Sequence, residues 1–551
     1  MKRLISLTFA LLFIFTLSSA QKNSVDDKGF ELSKNLEIFS SVYKNLQLLY
    51  VDDINPGQLV ETAINAMLSS LDPYTNYIPE ANIEDMKLQV LGQYGGIGAL
   101  IHQNGDMLYI SEPYEGHPAD KAGLKAGDRI IEVNGQSTEG KNSSDVSNAL
   151  RGQAGTKFTL KLERNGKTFE KELTREEIKI KPIPYYGLID NAFGYIRLNE
   201  FTQTASKDVT DAFQSLKTQK SDMKGIIIDL RGNGGGLLNE AVNIVNLFVD
   251  RGQLIVSTKG KVAEKNTYHR TMNSPADLNI PLAVLVDGSS ASASEIVAGS
   301  VQDLDRGIVI GQRTFGKGLV QNIIPLTYNS QMKITISKYY IPSGRCIQAI
   351  DYSHRDEDGN ANKVPDSLKT AFKTKKGRTV YDGFGIEPDI EVEGKTAPSI
   401  MIGLVQKFLI FQYATKFKDK HSTIASASEF EITDAIYADF KNFLEDKEYD
   451  YSTATEKTLE ILKTIAERES YINAIQSDIA NLEKKLAHDK NEDLDKFRED
   501  ISQFLKAEIL TRYYYQKGRI EGSLKEDADI RKAIEVLSNN EQYNAILDVQ
   551  K

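Results

Sequence analysis

The sequence predicts a multidomain α/β protein with helical regions at both ends, and three patterns predict it. From Asn191 to Gln321, short β-branched runs alternate with helical periodicity, as strand–helix units around a buried sheet require. Between about residues 85 and 175 the chain changes to strand segments punctuated by glycine, the composition of a small β-rich unit. On either side, apolar residues recur at spacings of three and four among many charges, which marks amphipathic helices. The 551 residues leave room for about three or four domains at roughly 100 to 200 residues each. With 67 Lys plus Arg against 77 Asp plus Glu, the net charge is −10, so no basic excess points to nucleic acid.

At the N-terminus, Met1-Lys2-Arg3 is basic, Leu4 to Leu17 is apolar but for three hydroxyl residues, and Ser18-Ser19-Ala20 supplies small residues before Gln21. This is the pattern of a cleavable export signal over residues 1–20. The apolar run is shorter than the roughly 20 residues of a spanning helix, and Gln21 is not a lipid-acceptor cysteine. A soluble, exported mature chain without a stable membrane anchor is expected. Residues 21–84 then read as a helical segment, with Leu32, Leu36, Phe39, Val42, Tyr43 and Leu46 on one face. It ends in the turn Leu71-Asp72-Pro73-Tyr74-Thr75.

Residues 85–175 open with Gly95-Gly96-Ile97-Gly98 and continue through His117-Pro118-Ala119 and Ala122-Gly123-Leu124 to Gly127-Asp128-Arg129-Ile130 and Asn134-Gly135. A helix is expected around Ser143 to Leu150, with strands from Lys157 and Thr168. The long P-A-x-x-A-G-L-x-x-G-D-x-I-x-x-x-N-G pattern resembles a PDZ domain. That resemblance implies a peptide added along a sheet edge, with its terminal carboxylate captured by backbone N–H groups of Gly95, Gly96, Ile97 and Gly98.

An α/β core is expected over residues 176–395. Ala192 to Leu198, Gly225 to Leu230 and Pro281 to Asp287 read as buried strands, and Lys207 to Leu216 and Leu237 to Val249 as helices. Arg231-Gly232-Asn233-Gly234-Gly235-Gly236 stands before the second helix, where a glycine loop can hold an anion. It lacks the spacing of a dinucleotide or nucleoside-triphosphate loop. After the third strand, Ser290-Ala291-Ser292-Ala293-Ser294-Glu295-Ile296 enters a helix through a tight turn. A hydroxyl there sits beside unsatisfied helix N–H groups, which suits Ser292 as a nucleophile with the Ala293 N–H as an oxyanion donor. None of the six histidines lies nearby in sequence. Thr314-Phe315-Gly316-Lys317-Gly318 instead offers Lys317, a lysine whose burial would favour the neutral base.

Taken separately, a serine-rich helix start is usually an N-cap and a Gly-Lys-Gly loop a solvated turn. Together with Gln302-Asp303 and Gln321, these stretches resemble the C-terminal processing peptidases, the tail-specific serine proteases, over roughly Leu71 to Ile390. The resemblance implies a crotonase-like Ser-Lys protease core with Ser292 as nucleophile, Lys317 as base and Gln321 orienting it. It also implies a second oxyanion donor in the D-L-R-x-N-x-G-G stretch, at Gly236 by position. Substrates would be proteins or peptides with accessible C-termini, no cofactor would be needed, and the periplasm would be the compartment.

Residues 351–382 read as a charged surface insertion, and Cys346, the sole cysteine, as part of a strand continuation. No metal-ligand spacing occurs. Residues 396–551 read as a charged helical domain in which Ile465, Ile472, Ile479 and Leu486 recur every seven. So short a stripe favours an intramolecular hairpin, while leaving open a homo-oligomer and an activating partner. The competing readings are an inactive PDZ adaptor of the cell envelope and a hydrolase pairing Ser292 with His269 or Asp303.

Overall fold

The computed structural model describes residues 29–82, 92–486 and 490–548; the expected export signal lies outside them. A helix over 29–49 (α1) and α2 (Pro56–Ser69) lead to the short strand β1 (Asn76–Ile78). The Asn55 side chain accepts from the N–H groups of Gly57 and Gln58 and starts α2 with Pro56 at its first turn, a standard N-terminal arrangement.

The β-rich unit expected over 85–175 is built from β2 (Gln93–Gly96), β3 (Ala99–Asn104), β4 (Met107–Pro113), β5 (Arg129–Val133), α3 (Ser143–Leu150), β6 (Lys157–Arg164), β7 (Lys167–Thr174) and β8 (Glu176–Lys179). The main sheet runs β3-β4-β5-β6-β7, and β2 pairs separately with β8. Strand β3 is therefore an edge. Phe158, Leu160 and Leu162 alternate into a core with Ile110, Ile130 and Val146, the period-2 burial of a one-sided strand.

The α/β core follows. Its sheet contains β9 (Tyr185–Ile189), β10 (Phe193–Arg197), β11 (Gly225–Asp229), β14 (Leu282–Val286), β15 (Ile308–Gly311) and β18 (Ile390–Glu391) in that order, all parallel except β9. Strands β11 and β14 are buried throughout, as expected for central parallel strands covered on both faces. Ile226, Ile228, Leu282, Val284 and Val286 face one core with α4 (Ala205–Gln219), α5 (Leu238–Asn246) and α6 (Ala293–Asp303). Ile227, Ala283 and Leu285 face the other way, against α13 (Ala528–Ser538) and α14 (Asn540–Leu547). Helices α13 and α14 thus supply the second cover of this sheet.

A second sheet joins β12 (Leu254–Gly260), β13 (Thr267–Arg270), β16 (Leu319–Pro325) and β17 (Gln331–Tyr340) to β1. In the helical domain, α7 (Ser399–Gln406), α8 (Leu409–Lys420), α9 (Asp434–Leu444) and α12 (Arg498–Ser523) share a core of their own, while α10 (Ala454–Arg468) and α11 (Ile472–Leu486) pack on each other. The seven-residue stripe is folded back on itself between α10 and α11, with the turn at Glu469 to Tyr471. One expectation gains detail and one changes. The 351–382 insertion forms hairpins, Ile350–Arg355 with Ala361–Lys363 and Ala371–Lys373 with Thr379–Tyr381. Cys346 is not in a strand, because Pro342 and Gly344 (φ 90°) turn the chain, with the Ile341 N–H donating to the Arg345 carbonyl.

Candidate active site

Ser292 joins β14 to α6 in a backbone conformation, φ 56° and ψ −113°, that a non-glycine residue rarely adopts and that is found where surrounding structure over-determines it. Here the neighbours do so. The Ser290 hydroxyl donates to the Leu230 carbonyl at 2.9 Å, the Ser294 hydroxyl to the Asn233 carbonyl at 2.9 Å, and the Ala291 N–H to the same Asn233 carbonyl at 3.0 Å. Two of the three serines are thus buried and tied to the glycine loop, and only Ser292 is partly exposed.

The glycine loop runs alongside. Asn233 is fully buried, donates to the Leu198 carbonyl and accepts the Gly235 N–H at 2.9 Å. A Cβ on Gly235 (φ 104°) would lie 2.8 Å from Ser292 Cβ and 3.0 Å from the Ala293 nitrogen; only glycine allows this approach. Gly236 (φ 144°) bridges to Phe201, whose carbonyl accepts the Leu237 N–H. Among the described residues, neither the Gly236 N–H nor the Ala293 N–H has a protein acceptor.

Lys317 follows Gly316 on the loop before β16. Burial, then the Lys333 charge, push its ammonium below the usual lysine range, against the smaller opposing pull of Glu295 and Asp72. Its Nζ lies 4.3 Å from the centroid of the Tyr74 ring, within cation–π range. Among the described residues no hydrogen bond joins Lys317 Nζ to Ser292 Oγ. Tyr74 is itself set by the Leu71 to Thr75 turn: Asp72 accepts the N–H groups of Tyr74 and Thr75, each at 2.8 Å. Gln321 is turned to Thr335, donating at 3.2 Å to its hydroxyl, and is not hydrogen-bonded to Lys317.

Glu295, one helical turn after Ser292, was not singled out by the sequence reading. It is fully buried. One carboxylate oxygen accepts the Thr314 hydroxyl at 2.6 Å and the Gly316 N–H at 2.7 Å; the other accepts the Ser292 N–H at 2.8 Å and the Lys317 N–H at 2.9 Å. Burial raises the carboxyl to about 7 despite these four donors. The Ser-x-x-Glu spacing at a helix start is a capping-box signal and could have drawn attention to it; its reach across to residues 314–317 could not be read from spacing. Tyr339 is a further unsignalled partner. Its buried hydroxyl lies 2.6 Å from the Lys317 carbonyl and 3.1 Å from that of Ser292.

Asp303 accepts from Arg345 at 2.8 Å and from the Ser343 N–H at 2.9 Å, fully buried. His269 lies on β13 with its ring nitrogen 2.8 Å from the Thr267 hydroxyl. Neither is hydrogen-bonded to Ser292. In the PDZ domain, Gly95 and Gly96 are paired with Glu177 and Glu176. Ile97 and Gly98 lie between β2 and β3, and among the described residues their N–H groups have no backbone acceptor. The edge strand β3 follows them directly, with α3 packed beside it.

With this geometry described, the comparisons with known proteins are informative. Residues 192–354 match Peptidase family S41, residues 109–164 a PDZ domain, and residues 400–537 the C-terminal helical domain of probable PDZ-proteases. Residues 9–81 match the N-terminal domain of the activating protease CtpB. A carboxy-terminal-processing protease of Bartonella bacilliformis is 37% identical over 323 residues, 58% of this chain and 73% of the relative. The carboxy-terminal processing protease CtpA of Bacillus subtilis is 32% identical over 359 residues, 63% of this chain and 76% of the relative. Among solved structures, the photosystem II D1 C-terminal processing protease is 26% identical, covering 65% of this chain and 93% of that one, with a TM-score of 0.36. The fold is that of a PDZ-containing protease. The chain belongs to the carboxy-terminal processing proteases of peptidase family S41.

Proposed function

We propose that the protein is an exported serine endopeptidase in which Ser292 attacks the substrate carbonyl and Lys317 is the general base, with the PDZ domain presenting substrate C-termini. The observation that carries this reading is the Ser292 corner: the one serine of its run whose hydroxyl is not tied to a buried carbonyl, held beside two unengaged amides. The half-buried Lys317, its ammonium held below the usual lysine range, supports its role as base, since a neutral amine can take a hydroxyl proton near neutral pH. Lys317 Nζ leaves the Tyr74 ring by side-chain rotation to reach Ser292. As the hydroxyl attacks, its proton passes to Lys317, and the Gly236 and Ala293 N–H groups hold the oxyanion. Losing one such donor typically costs about 10²–10³ in rate. Protonated Lys317 then donates to the leaving amine, and water releases the acyl group. Gln321 contributes through the Thr335 hydroxyl, which lies 3.4 Å from the Thr75 hydroxyl of the Asp72 turn, steadying the surroundings of Lys317.

For the PDZ domain, the Ile97 and Gly98 N–H groups support capture of a terminal carboxylate, the Gly95-Gly96 pair anchoring that loop, while edge strand β3 supports addition of the peptide tail. Export to the periplasm rests on the residue 1–20 pattern. No helix among the described residues is long and apolar enough to cross a membrane.

The test is hydrolysis of an unstructured protein by the mature enzyme beside Ser292→Ala and Lys317→Ala, with a second substrate whose C-terminal residues are altered. Loss in both variants and a raised KM for the altered tail are expected. Undiminished cleavage by Ser292→Ala would refute the assignment.

A further inference from the structure

Glu295 occupies an unusual position between the two halves of the site. Its four hydrogen-bond partners are all donors, two on the nucleophile's side or the adjoining loop for each oxygen: Thr314 and Gly316 at one, Ser292 and Lys317 at the other. A carboxylate has about four acceptor sites and no proton to give, so its ionised form satisfies all four. A protonated carboxyl has an O–H that would face one of these donors and must displace it. The Ser292 N–H lies at the strained corner, and the Gly316 and Lys317 N–H groups fix the loop from which the lysine side chain springs. Because one carboxylate holds both, the separation of nucleophile and base passes through it.

We infer that Glu295 is a positioning residue whose ionised carboxylate couples the Ser292 corner to the Lys317 loop, so that taking up one proton uncouples the site without unfolding the protein. This rests on the assignment of Ser292 and Lys317 proposed above. The titratable side chains around Glu295 are Lys317 on the loop before β16, Tyr339 on β17 and Tyr74 on the turn after α2. Burial raises both tyrosine hydroxyls above their usual range, which keeps them neutral and leaves Lys317 as the cation of this group. Burial brings the Glu295 carboxyl up to about 7, close to the pH at which such an enzyme would work. The sign of the linkage separates function from stability. A carboxyl whose folded value is raised stabilises the fold in its protonated form and loses that contribution as pH rises from its unfolded value, about 4.3, through about 7. Acidification through this window would therefore lower activity while raising this group's contribution to stability.

The experiment measures kcat/KM for an unstructured protein substrate from about pH 5 to 9, with the thermal midpoint recorded at each pH, for wild type, Glu295→Gln, Thr314→Val, Thr314→Ser and Ser292→Ala. In wild type, activity should fall on the acid side more steeply than one proton allows, without a parallel fall in the midpoint. Glu295→Gln places an amide donor against N–H donors and should lower kcat on the order of 10²-fold, the scale of a misplaced catalytic group, with a one-proton acid limb. Thr314→Val removes a donor that favours the carboxylate, so its acid limb should move to higher pH; Thr314→Ser should restore it. Wild-type kcat in Glu295→Gln, or an acid limb in Thr314→Val that coincides with wild type, overturns the inference. If Glu295→Gln does not fold, the Thr314 pair decides alone. Full activity in Ser292→Ala would instead refute the underlying assignment, whereas loss there with unmoved Thr314 profiles would refute only the role of Glu295.

Discussion

Lys317 is held between opposing influences. Burial and the Lys333 charge favour its neutral amine, while Glu295 and Asp72 favour the ammonium, and burial prevails. A lysine base works only when deprotonated, so activity should rise with pH through a value below the ordinary lysine range. Removing the Lys333 charge removes one influence on the neutral side. Lys333→Met should therefore shift the acid limb of the pH–rate profile to higher pH, with little change in the alkaline plateau. A limb that stays in place or moves down would show that Lys333 does not act on Lys317. At this scale the sequence pointed to Ser292 by its place at the helix start, but held no contact that sets it apart from Ser290 and Ser294. The physical choice lies in acceptors far along the chain, the carbonyls of Leu230 and Asn233. The Tyr74 ring over Lys317 was equally hidden, because it comes from a turn more than two hundred residues away.

At the scale of elements, α6 shows what periodicity misses. Every residue of this helix is buried, including Gln302 and Asp303, so no polar face advertises its orientation. Gly299 lets it approach closely, since a Cβ there would lie 2.6 Å from the Ile341 side chain. Its C-terminal end is neutralised by Arg345, whose side chain is 1% exposed against 0% for Asp303. The partner of Asp303 lies in the segment around Cys346 that the sequence suggests is a strand continuation, so the pair is not legible there. Breaking such a buried pair from one side leaves an unpaired charge and costs about 3–5 kcal/mol. Arg345→Met should lower stability by about that amount in denaturant titration, whereas the double variant Arg345→Met/Asp303→Asn should recover part of it. A single variant as stable as wild type would mean that the pair carries no net weight. The strands β11 and β14, by contrast, were legible at once: an unbroken apolar run suits only a sheet covered on both faces.

At the scale of the whole molecule, the same two-sided burial poses a question that local sequence does not answer: what covers the second face. Ile227, Ala283, Leu285, Ile308 and Ile310 pack against Ile530, Ala533, Val536 and Leu537, more than two hundred residues later. The Tyr543 hydroxyl lies 3.0 Å from the Leu282 nitrogen, an acceptor for its N–H. Arg231, at the head of the glycine loop, adds ion pairs to Asp527 at 2.9 Å and Asp529 at 2.6 Å. The C-terminal helices are thus part of the hydrophobic closure of the catalytic sheet and of the frame around Gly235 and Gly236. Charged amphipathic helices of this kind look self-sufficient in sequence, which is why their place against the sheet was not read there. Leu537→Ala deletes buried atoms at this junction and should cost about 2–5 kcal/mol. Its thermal unfolding should report an earlier loss of the protease core, with peptide-tail binding by the PDZ domain retained below that transition. Ending the chain after Ser523 exposes the entire second face, so the protease core should lose its cooperative unfolding transition in calorimetry. A truncated chain that keeps that transition and its hydrolytic activity would show that the last two helices are dispensable cover.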